Sequence, residues 1–70
     1  MSEVINNIVY TLRTEKEITQ EDFACMVGVS RQTISALEKG NYTPSILLAL
    51  KIAKVFNVSV EKIFKISYEK

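Results

Sequence analysis

Between Gln20 and Lys39, in QEDFACMVGVSRQTISALEK, the apolar residues keep a helical spacing that is broken once, at Gly28. Phe23, Ala24 and Val27 recur three and four residues apart, Val29 restarts the pattern, and Ile34 and Leu37 form the next stripe. Such a pattern folds as two short helices crossing at a tight turn. Each special residue meets its own steric demand. Ala24 is small where the second helix crosses close by, Gly28 accepts the positive φ that ends a helix, and Ser30 caps the helix that follows.

The flanking segments give that unit its support. A first helix is expected from about Asn7 to Lys16, with Asn6 as its cap and with Ile8, Leu12 and Val9 as inward candidates. Thr19 is placed to cap a helix from Gln20 to Met26 or Val27, with Asp22 giving an imperfect capping box because its carboxylate is short. The third helix runs from Arg31 to about Glu38, and Gly40-Asn41-Tyr42-Thr43-Pro44 has loop composition. Ser45 opens a fourth helix whose predicted core face is Ile46, Ala49, Leu50, Ala53 and Phe56, with Lys51 and Lys54 outside. Asn57 ends it in a left-handed conformation, Val58 tucks back, and Ser59 caps a short fifth helix holding Val60, Ile63 and Phe64. The expected fold is therefore all-α, with five helices in a single domain over residues 1–70. The two ends alternate polar and apolar residues, at Glu3-Val4 and from Lys65 to Lys70, which is a strand pattern.

Seventy residues allow one domain, and a chain of this length buries only about 60% of its unfolded surface, so a partner subunit would help it. An apolar content of 47% with one proline and two glycines argues for a compact helical protein and against disorder or a β-sandwich. No apolar run approaches the roughly 20 residues that span a bilayer, and MSEVINN lacks the plan of a signal peptide. A cytoplasmic protein is expected. Cys25, the one cysteine, excludes an internal disulfide and reads as a small buried or half-buried residue. Without histidine, clustered carboxylates, phosphate-cradling glycines or metal-ligand spacing, the chain offers catalysis almost no material, so neither enzyme activity nor a cofactor or metal is expected. A small-molecule substrate and a membrane are likewise not expected partners.

The outward residues near the start of the third helix, Arg31, Gln32, Thr33 and Ser35, can all hydrogen-bond to phosphates or base edges. TQEDFA, the turn VGVS, the run RQTISALEKG and then PSILLALKIAKVFNVSVEKIF follow in an order that closely resembles the phage-repressor and Cro-like (Xre-type) helix-turn-helix transcriptional regulators, in a short form. The resemblance covers the chain from about Asn6 to Phe64. It implies a regulator that presents its third helix to the major groove of double-stranded DNA, as a homodimer on a palindromic operator whose half-sites lie roughly 34 Å apart. It further implies that Gln20 donates to a phosphate and braces the recognition helix. Ser30, Lys39, Asn41, Tyr42 and Thr43 are then candidates to hold the backbone, and Arg13 on the first helix pairs with Glu38. Short members resemble one another in pairing their termini as a small antiparallel ribbon, here Val4 and Ile5 with Ile66 to Tyr68.

Gln32 is the foremost candidate for reading a base, because a glutamine amide pairs bidentately with adenine. Arg31, Thr33 and Ser35 are its helpers, with base or phosphate open for each. The net charge of +1, nine basic against eight acidic residues, is low for nucleic-acid binding, so specificity has to come from hydrogen bonding and dimer geometry rather than bulk attraction. Leu47 and Leu48 stand where such helices usually carry polar residues. With Val60, Phe64, Ile66 and Tyr68, Leu47 is a candidate dimer contact in a region centred on residues 58–68, while Leu48 also reads as a residue packed within the monomer. The rival reading from another class is a protein-interaction module, antitoxin-like or adaptor, on the same scaffold.

Overall fold

A computed structural model describes residues 2–69; Met1 and Lys70, the limits of the expected domain, lie outside the described residues. In chain order the elements are β1 (Ser2–Asn7), α1 (Val9–Glu15), α2 (Gln20–Val27), α3 (Arg31–Glu38), α4 (Ile46–Phe56), α5 (Val60–Ile63) and β2 (Phe64–Glu69). The fold is thus helical, with the small antiparallel ribbon that the family resemblance implied joining the two ends, and is all-α only apart from that sheet. Strand β1 pairs with β2 so that Val4 faces Ser67, Ile5 faces Ile66 and Glu3 faces Tyr68, and α5 is a single turn.

Side chains that meet at the centre come from all five helices. Phe23, Ile34, Leu37, Ile52, Ile63, Val9 and Val27 are fully buried, and the rings of Phe23 and Phe56 stack with centroids 5.2 Å apart. Three of the helices start as the sequence indicates. Thr19, Ser30 and Ser45 each hold extended backbone and accept, through the side-chain oxygen, the amide of the residue three positions on. That satisfies one of the amides a helix start leaves free. Ser59 occupies the same backbone region without a side-chain capping bond.

The helix ends share one device. Gly28, Asn57 and Glu17 take positive φ of 75°, 56° and 57°, and the amide that follows returns to a carbonyl five residues back: Val29 to Ala24, Val58 to Ala53, Ile18 to Arg13. Gly40, at φ 82°, is followed likewise by Asn41 bonding to Ala36. Gly28 and Asn57 are the residue types this conformation favours, whereas Glu17 holds it against the crowding of its own Cβ.

Two expected faces require correction. Helix α1 begins at Val9, not Asn7, because the strand continues through Asn7. Asn6 bonds across the ribbon to Ser67 at 2.6 Å, and it is Asn7 whose side-chain oxygen accepts the Val9 amide. Val9 is therefore buried while Ile8 is exposed. On α4 the buried set is Leu48, Ile52, Ala53 and Phe56, and Ile46 and Leu50 of the expected face are 80% and 56% exposed. Only the monomer-packing reading of Leu48 survives. Cys25 is exposed rather than buried or half-buried.

Candidate nucleic-acid interface

Helix α3 reaches the surface at its N-terminus because the buried Ile34 and Leu37 fix one stripe inward and turn Arg31 and Gln32 out to solvent. Ser35 and Ala36 are half-buried beside them. Arg31, Gln32, Ser35, Ala36, Lys39 and Asn41 together line a shallow cleft of about 300 Å³. Five of these six are candidates from the sequence. Ala36 was not among them; its position four residues beyond Gln32 is the signal that places it on the same face, and its methyl leaves the cleft open.

The other candidates fall elsewhere or are already engaged. Thr33 is half-buried, and its hydroxyl lies 3.0 Å from that of Ser30, whose oxygen also accepts the Thr33 amide at 3.2 Å. Both hydroxyls thus hold the start of α3 in shape. Tyr42 and Thr43 are exposed but line a different cleft, of about 380 Å³, between the 40–43 loop and the ribbon residues Glu3, Val4, Ile5 and Ile66. Of the candidate dimer residues, Val60 and Phe64 are half-buried against the core, Ile66 and Tyr68 are exposed on β2, and Leu47 is exposed on α4.

Behind the cleft, Glu38 is the hub of a nearly dry network. Its carboxylate accepts from Arg13 Nε at 2.6 Å and Arg13 Nη2 at 3.2 Å, and from Gln20 Nε2 at 2.9 Å. The third Arg13 nitrogen, Nη1, donates to the Ile18 carbonyl at 2.6 Å. The two charged side chains keep 9% and 5% of their surface in contact with solvent. The hydrogen bond that Arg13 donates to Glu38 raises the pKa of the guanidinium above its ordinary value, and the attraction of Glu38 and Tyr10 adds to this against the opposing effect of burial. The guanidinium carbon also lies 5.4 Å from the centre of the Tyr10 ring. Gln20 braces α3 by this route, with its amide nitrogen on Glu38 and its oxygen free of protein partners among the described residues.

The network also answers the charge problem. Glu38 is the one carboxylate between Ser30 and Thr43, and Arg13 and Gln20 hold it inside the protein. The exposed cleft presents Arg31 and Lys39 with no opposing acid, a local field of the sign that attracts phosphate. Among the described residues no group of histidine, cysteine and carboxylate side chains is placed to hold a metal ion.

The helix-turn-helix family matches residues 9–63, which takes in every helix of the fold and the whole cleft. The chain belongs to this family. An uncharacterized HTH-type transcriptional regulator from Methanocaldococcus jannaschii is 60% identical over 52 residues, 74% of this chain and 79% of that one. The cryptic phage CTXphi transcriptional repressor RstR of Vibrio cholerae is 35% identical over 52 residues, 74% of this chain and 47% of that protein. Among solved structures, the restriction-modification controller protein C.AhdI from Aeromonas hydrophila superposes with a TM-score of 0.70 at 28% identity, covering 77% of this chain and 82% of its own. As a family member the chain is a transcriptional regulator of the helix-turn-helix class, and no helix among the described residues is long and apolar enough to cross a membrane.

Proposed function

We propose that this protein is a repressor that binds a palindromic DNA operator as a homodimer, with α3 in the major groove. The supporting observation is the cleft on α3, where Arg31, Gln32, Ser35, Lys39 and Asn41 converge on an open face whose one acid is withdrawn to the interior. Gln32 is the base reader, since its exposed amide can donate to and accept from an adenine edge at once. Arg31 flanks it as a phosphate or guanine contact and Lys39 as a phosphate contact, and the half-buried Ser35 and Ala36 set how closely the helix approaches. Gln20, Ser30, Asn41, Tyr42 and Thr43 hold the sugar-phosphate backbone to either side. Repression is favoured by the likeness to RstR and requires only that the bound protein cover a promoter.

Selection of bound sequences from random DNA, followed by titration of the selected operator and a scrambled one, tests this directly. Gln32→Ala is expected to keep its fold and lose about 1–3 kcal/mol of discrimination between the two. Binding of the wild-type protein is expected to weaken steeply with added salt. Identical affinity for both sequences in the wild type would end the proposal.

A further inference from the structure

The outer end of the ribbon overhangs the loop that follows α3. Because side chains alternate along a strand, Glu3, Ile5 and Asn7 share one ribbon face with Tyr68, Ile66 and Phe64, the residues opposite them. At its inner end this face is tied to the body: Phe64 packs against the core, and the Asn7 side-chain amide donates to the Leu37 carbonyl at 2.9 Å. Farther out the face is left open. Ile5 and Ile66 stay 36% and 63% exposed, and with Glu3 they border the cleft of about 380 Å³ whose other wall is Gly40, Tyr42 and Thr43. A Cβ built on Gly40, at φ 82°, meets no atom within 4 Å, so the loop does not fill the space from its own side. The loop also serves two clefts, since Asn41, between Gly40 and Tyr42, lines the one on α3.

We propose that the cleft between ribbon and loop is an effector site for a small organic cation, an amine carried on an apolar ring or chain. Ligand pockets combine apolar walls with a few polar groups that orient the ligand, and this cleft has the size of the smaller ones. Ile5 and Ile66 supply the apolar wall, Tyr42 an aromatic ring of the kind that attracts a cation, and Thr43 a hydroxyl that can accept from an ammonium. Charge decides the class of ligand. Glu3 is the only charged residue among the described residues that line the cleft, so carboxylates and phosphates are repelled and an ammonium is drawn in. The cleft on α3, with Arg31 and Lys39, has the opposite sign. One carboxylate is too few oxygen ligands for a bound metal ion, and a bare cation makes no use of the two isoleucines. A ligand held by Tyr42 and Thr43 takes both from the DNA backbone, so its binding weakens the operator complex. That coupling rests on the regulatory reading above, whereas the binding of the amine does not.

Titration of the full chain with 2-phenylethylamine, followed through its amide NMR signals, is expected to give saturable shifts centred on residues 3–5, 40–43 and 66. The expected Kd is about 0.1–1 mM, the range open to so small a ligand. 2-Phenylethanol, of the same shape without the charge, is expected to bind about 3–5-fold more weakly, a modest factor because Glu3 is exposed and its attraction is screened. Glu3→Gln brings the amine to the level of the alcohol and leaves the alcohol unchanged, and Tyr42→Leu weakens the amine more than the alcohol. Unchanged helicity establishes that each variant is folded. Saturating amine is expected to raise the Kd of the selected operator at least ~5-fold, while ammonium chloride at the same concentration does not. Equal affinity for amine and alcohol, shifts scattered over the surface, or shifts at these residues that follow protein concentration without amine, as a second copy in the cleft would cause, overturn the site. An amine that binds in the cleft and leaves operator affinity unchanged overturns the effector role. A chain that binds the amine but selects no DNA sequence loses the regulatory reading and keeps the site.

Discussion

At the scale of single residues, Glu38 carries the largest consequence, because its carboxylate joins α3 to both α1 and α2 through Arg13 and Gln20. Glu38→Ala strands a guanidinium in a nearly dry site and is expected to cost about 3–5 kcal/mol in denaturant unfolding. Replacing both partners with apolar residues of similar size is expected to cost less than either single change, since the interior then holds no unpaired charge. The raised Arg13 value sets the sign of any pH effect. A cation favoured by folding stabilises fully below its unfolded pKa, and the gain is lost only as pH rises through the folded one, so this contribution stays flat from neutral pH well into the alkaline range. Gly28 and Glu17 form a matched pair of backbone tests. At Gly28 an added Cβ would meet nothing nearer than Lys51 Nζ at 3.7 Å, so Gly28→Ala isolates the cost of positive φ, about 1 kcal/mol, while Glu17→Gly is expected to gain roughly 0.5–1 kcal/mol in thermal melts.

Among the elements, the capping residues separate sequence pattern from realised chemistry. Thr19→Ala and Ser45→Ala each remove an oxygen that accepts a helix amide and are expected to cost ~1 kcal/mol, whereas Ser59→Ala, with no capping bond to lose, is expected to be near neutral. How far the sequence could be read follows from how few alternatives each segment leaves. In α2 and α3 polar residues interrupt the apolar stripe, so only one face can turn inward, and the helix bounds and Gly28 turn follow directly. In ILLALKIAKVF nearly every side is apolar, so the set beginning at Ile46 and the set beginning at Leu48 fit a helical period equally well. Contact with the rest of the core decides between them, and that information is not local. The same holds at Ile8 and Val9, where strand pairing through Asn7 delays the helix start and rotates the inward face by one residue. In the candidate site, the Arg13 to Glu38 contact spans 25 residues and was legible from family resemblance rather than from spacing. Gln20 as a third partner was hidden because its side chain suits phosphate and carboxylate alike.

For the molecule as a whole, the ribbon stands apart from the helices in the length of chain it joins. The helices meet partners one or two elements away, as in the Arg13–Glu38 pair and the Phe23–Phe56 stack, while β1 meets β2 only after everything between them has been laid down, as in the bond from Asn6 to Ser67 across 61 positions. Bringing such distant segments together carries a larger entropic cost than closing the shorter loops between helices. Two strands alone contribute little until helices support them. The ribbon is therefore expected to close last, after the helical core has already crossed its folding barrier. Trimming its side chains, as in Ile5→Ala or Ile66→Ala, should leave the refolding rate almost unchanged and accelerate unfolding, with φ-values near zero, while Leu37→Ala in the core slows refolding. The strands then act as a latch on a helical body that forms without them, and the lifetime of the native state, rather than the speed of reaching it, is what they govern.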